Sequence, residues 1–86
     1  MSRQLKQYVE RENAYITIFG SKPLDLTTHE GRIRIAQRID NQLSPENLTC
    51  DGELPRSQVE QRWRTLNTVA QQLQELDPDI VFSEIY

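Results

Sequence analysis

The chain has 86 residues, 36% of them hydrophobic and 27% charged, with a net charge of −3. That is enough for one domain spanning residues 1–86 with a single core, and apolar enough to escape the disordered class. The charge is too acidic for a general nucleic-acid binder and too mild for a mimic of DNA, so it selects no partner and makes nucleic acid an unlikely one.

From Ser2 to Phe19, the residues Leu5, Tyr8, Val9, Tyr15, Ile16 and Phe19 fall on one face at helical spacing. This predicts a first helix capped by Gly20, with Leu24 folding back onto its end beyond the Ser21-Lys22-Pro23 break. Thr27-x-x-Glu30 reads as a capping box that opens a second helix. Ile35, Ala36, Ile39 and Leu43 form its buried side, and Ser44-Pro45 ends it. Gly31 falls in its first turn, where the helix penalty of glycine is smallest.

Glu46 to Leu54 carries an Asp51-Gly52 turn signal and predicts a short strand or extended loop. The strongest periodicity runs from Ser57 to Leu76, where Val59, Trp63, Leu66, Ala70, Leu73 and Leu76 recur at steps of three and four. Pro55 and a Ser57-x-x-Glu60 capping box mark the start of this third helix, and Asp77-Pro78 marks its end. Ile80 to Tyr86, rich in β-branched and aromatic residues, reads as a terminal strand with Ile80, Phe82 and Tyr86 facing one way. Such a strand must pair with the segment near Leu48 to Cys50 or with another chain. The predicted fold is therefore α+β in the order α, α, short β, α, β, with the third helix central; an all-α three-helix bundle is the alternative.

Polar residues inside apolar stripes are the best pointers to chemistry, because a buried charge is costly unless paired or used. Glu12, Arg32 and Arg62 all fall on inward faces at about 100° per residue. The simplest account pairs Glu12 with Arg32 or Arg62 while the arginine stems lie along apolar surface. A sharper one gathers Arg32, Arg62, His29 and Tyr8 or Tyr15 into a pocket for an anionic, nucleotide-like ligand, although no glycine-rich phosphate loop accompanies them. Arg34 and Arg38, four apart, read as an outward basic stripe of the kind a DNA-binding regulator uses. Against that, the segment from Ser44 to Arg56 is too long for a helix-turn-helix turn, and Glu30, Asp40 and Glu60 dilute the field.

His29 is the sole histidine and Cys50 the sole cysteine. One chain can therefore form neither an internal disulfide nor a conventional His/Cys zinc site. The two would also be the only conventional base and nucleophile, with no accompanying catalytic motif, so no enzyme, metal or cofactor is expected. Met1 to Glu12 is charged and helix-periodic, unlike a secretion signal or a membrane span, which makes a cytoplasmic setting the simplest one.

Together these features point to a small non-enzymatic protein-interaction module, a homo-oligomer that binds a larger partner protein, like the small accessory or regulatory proteins of bacteria and phages. Trp63, Phe82 and Tyr86 are its candidate anchors, since aromatics are over-used at interfaces, and the terminal strand would offer an edge for strand addition. Ordinary core packing is the competing account of each aromatic. The alternatives are an anionic-ligand binder built on Arg32, Arg62, His29 and Tyr15, and a DNA-binding regulator built on Arg34 and Arg38.

Overall fold

The computed structural model describes residues 3–82. They form four helices: α1 (Arg3–Ile18), α2 (His29–Leu43), α3 (Pro45–Thr49) and α4 (Arg56–Leu76). No strand occurs among the described residues. The α+β prediction is overturned, and the all-α alternative fits, with four helices in place of three.

Both misassigned strands have physical explanations. Pro45 does end α2, but its fixed φ and missing N–H also suit the first turn of a new helix, so the chain turns directly into α3 and buries Leu48. In the C-terminal segment the alternation is real, since Ile80 and Phe82 are buried while Val81 is 85% exposed. It is achieved without a ladder, the Ile80 carbonyl accepting from Gln74 Nε2 on α4 at 3.3 Å. Tyr86 lies outside the described residues.

Helix α4 is the central element and packs against α1, α2 and α3. Leu66, Val69, Ala70 and Leu73 form its buried stripe, facing Leu5, Tyr8, Val9 and Ile16 of α1 and Ile35, Ala36, Ile39 and Leu43 of α2. Each large apolar side chain buried this way contributes about 1.5–3 kcal/mol. Trp63, predicted within the stripe, lies at its edge and is 41% exposed. Val69 lies inside it instead.

The caps also differ from the sequence motifs in two places. Helix α2 is capped by Thr28, whose Oγ1 accepts the Gly31 N–H at 3.0 Å, while Thr27 turns back to the Asp25 carboxylate. Helix α4 starts one residue before Ser57, with Pro55 at its N-cap and no side-chain cap. The end of α1 is as predicted. Gly20 takes a φ of 74°, the Ser21 N–H reaches back to the Ile16 carbonyl at 3.1 Å, and the Gly20 N–H bonds Thr17, which is a Schellman motif. Leu24 folds back and is buried. Its N–H donates to Asn13 Oδ1 at 2.7 Å and its carbonyl accepts from Asn13 Nδ2 at 3.1 Å, so one side-chain amide pins the loop to α1.

Candidate functional site

Glu12 is buried in α1, as its place in the apolar stripe implied, but its partners differ from those expected. Glu12 Oε1 accepts from Arg38 Nε and from Gln42 Nε2, both at 2.6 Å. Gln42 Oε1 in turn accepts from the Tyr8 hydroxyl at 2.7 Å. Arg38 and Gln42 are four residues apart, one above the other on the side of α2 that looks toward α1. Burial, and then the neighbouring Glu12 carboxylate, push the Tyr8 phenol well above its usual range, so it stays a donor. The outward stripe of Arg34 and Arg38 is thus not formed. Arg38 turns inward to Glu12, and Arg34 donates to the Lys22 carbonyl at 3.2 Å.

A second polar cluster joins the start of α2 to the end of α4. His29 Nδ1 lies 2.6 Å from Asp77 Oδ2, and Arg32 approaches the same oxygen at 3.7 Å while its Nε donates to the Leu26 carbonyl. The hydrogen bond from His29 holds the Asp77 carboxyl below the ordinary carboxylate range, against the opposing effect of burial. A histidine held by a carboxylate resembles an oriented base. The nearby Thr28 hydroxyl caps α2, and Cys50 lies beyond α3, past the far end of α2, whose 15 residues span about 22 Å. The structure does not bring His29 and Cys50 together.

Arg62 binds elsewhere again, donating to the Asn47 carbonyl of α3 at 3.3 Å. With Tyr15, Arg11, Glu12, Gln42, Thr65 and Leu66 it lines a depression of about 300 Å³. The four residues proposed for an anionic pocket therefore separate into two pairs, His29 with Arg32 at the start of α2, and Tyr15 with Arg62 near its end.

The most exposed apolar group was only partly visible in the sequence. Tyr15 and Phe19, predicted to face the core, are 57% and 79% exposed, and Ile18 beside them is 77% exposed. Apolar residues at 15, 16, 18 and 19 span too wide an arc for all to face inward, and Ile16 is the one that does. Arg11 and Arg62 border this helix end through the depression they share with Tyr15. Of the predicted anchors, Trp63 reaches solvent, Phe82 is packed in the core and Tyr86 lies outside the described residues. A second depression, of about 220 Å³, runs between α2 and the C-terminal segment, lined by Ile33, Ala36, Gln37, Asp40, Asp79, Ile80 and Val81. Among the described residues no group of His, Cys, Asp and Glu suited to a metal ion occurs, and no helix is long and apolar enough to cross a membrane. Comparison with protein-family models, with curated proteins and with solved structures gives no match for this chain.

Proposed function

We propose that this protein is a non-enzymatic interaction module that binds a larger protein through the exposed end of α1. The observation that supports this reading is the grouping of the exposed Tyr15, Ile18 and Phe19 at one helix end, with Arg11 and Arg62 sharing a depression with Tyr15. Single exposed apolar residues are ordinary, but an aromatic and aliphatic group next to arginines has the composition of an interface centre. Of the two predicted anchors among the described residues, Trp63 is accessible for such a role and Phe82 is buried.

The test is a quantitative capture from extracts of cells that make the protein, comparing the native chain with Phe19→Asp. Phe19 lies outside the core, so the variant keeps its fold, which far-UV circular dichroism checks. A polypeptide held by the native chain should be retained at least tenfold less by Phe19→Asp, the signature of an anchor contributing more than about 1.4 kcal/mol. Equal retention of every captured species would overturn the assignment.

A further inference from the structure

We infer that the depression between the end of α1 and the middle of α2 receives an oxyanion group, a carboxylate or a phosphate, carried by the protein that docks on the α1 end. This inference rests on the reading of that end as a contact surface and names the chemistry of what meets it. The depression has a volume of about 220 Å³ and is lined by Ile16, Ser21, Leu24, Arg34, Gln37 and Arg38. Each of its four polar side chains can donate hydrogen bonds, and none is a carboxylate. Its size falls below the ~300–1,000 Å³ of sites for drug-sized ligands, so it suits one anionic group and not a whole nucleotide.

The charge that would hold such a group is in place. Arg34 donates to the Lys22 carbonyl, a neutral acceptor, and is paired with no carboxylate among the described residues. Arg38 gives its Nε to Glu12, which balances that charge but leaves the terminal amino groups of the fork as donors. Asp25 and Glu30 belong to a separate depression, which Arg34 shares with Lys22 and His29. Four residues apart on α2, Arg34 and Arg38 have Cβ atoms about 5–6 Å from each other, so two guanidinium forks can close on the several oxygens of one anion. In a chain of net charge −3, two arginines suit a single group and not the phosphate track of a nucleic acid. The site also adjoins the contact surface. The N–H groups of Phe19 and Ser21 both donate to the Ile16 carbonyl, so the exposed Phe19 stands in one turn with two of the lining residues.

Inorganic phosphate serves as the probe, titrated into the ¹⁵N-labelled protein against chloride at equal ionic strength. Saturable shifts should gather at the amides of Ser21, Arg34, Gln37 and Arg38. Arg34→Gln should bind about tenfold more weakly, as the loss of one charge-assisted hydrogen bond implies, while Arg56→Gln on the distant start of α4 should bind like the native chain. Gln37→Glu, which sets a carboxylate in the site at an exposed position, is the second variant should Arg34→Gln loosen the loop at Lys22. Shifts that grow without saturating, or equal affinity in the native chain and both site variants, would overturn the inference. The polypeptide that Phe19→Asp fails to capture should also be retained less by Gln37→Glu. Saturable phosphate binding with capture unchanged in Gln37→Glu would overturn the partner as the source of the anion and assign the site to a free oxyanion. Loss of capture by Phe19→Asp alongside a native chain that phosphate does not saturate would sink the oxyanion site and leave the proposed function standing.

Discussion

A methyl group added at Gly31 would overlap the Asp25 carbonyl oxygen and stand 2.9 Å from Thr28 Oγ1. Alanine is the better helix former by about 1 kcal/mol, but the clash is with backbone and no side-chain rotation relieves it. Gly31→Ala should therefore lower stability by about 2 kcal/mol in urea unfolding, and a stabilised variant would refute the close approach. Sequence alone identified Gly31 as tolerable in a first turn. That it is required there depends on the path of the preceding loop, which no local pattern encodes. Glu12 shows the same boundary. Its inward-facing position was legible from the stripe it occupies, whereas its burial and its partner depend on how α1 lies against α2, which sets Arg38 and Gln42 against it in place of the expected Arg32 or Arg62. Arg38→Leu leaves the Glu12 carboxylate with Gln42 as its remaining donor. The variant should cost about 2 kcal/mol, less than the ~3–5 kcal/mol of a fully buried pair because Arg38 reaches solvent. A double-mutant cycle with Glu12→Gln should return a coupling of at least about 0.5 kcal/mol.

At the scale of elements, what could be read was where the chain turns, and what could not was what it turns into. Gly20 marks the end of α1 because its left-handed φ closes the Schellman motif, a local requirement that local sequence satisfies. Ser44-Pro45 marks a boundary equally well, but proline suits both the residue after one helix and the first residue of the next. The Asp51-Gly52 signal also marked a true turn, though of another kind. Cys50, Asp51 and Gly52 all have positive φ, at 50°, 57° and 86°, so α3 is followed by a left-handed turn and not by a hairpin. A side chain in that region carries a penalty that glycine avoids, partly offset by glycine's greater freedom in the unfolded chain. Cys50→Gly should consequently raise stability by about 0.5 kcal/mol, read as a higher urea midpoint with an unchanged slope.

For the molecule as a whole, acidity acts through two aspartates at opposite ends of one stretch of chain. Asp77 is held below the ordinary carboxylate range first by the hydrogen bond from His29, and Asp25 by the hydroxyl and N–H of Thr27. An unfolded aspartate takes up its proton near about pH 3.9, while the folded groups do so at lower pH, so between those values the unfolded chain binds more protons. The stabilisation these carboxylates give is complete above the unfolded value and drains away as pH falls through the folded one. Urea midpoints should accordingly drop below about pH 4, and Asp77→Asn should be less stable near neutrality and show a shallower acid decline. A decline just as steep in Asp77→Asn would show that the His29–Asp77 contact does not form in solution.

The attachment of α1 has a consequence for the order in which the chain assembles. Its ties lie far along the sequence, the Leu5 N–H to Gln72 Oε1 across 67 positions and Tyr8 to Gln42 across 34, whereas α2, α3 and α4 follow one another with short connections. Closing the larger loops carries the greater entropic cost, so α2, α3 and α4 should collapse first and α1 should dock late. In stopped-flow experiments Val9→Ala in α1 should accelerate unfolding and leave the refolding rate nearly unchanged, while Ile39→Ala in α2 should slow refolding. The helix that carries the exposed Tyr15, Ile18 and Phe19 would then be the last to join the fold and the first to leave it, making its detachment the step that sets how long the native state lives.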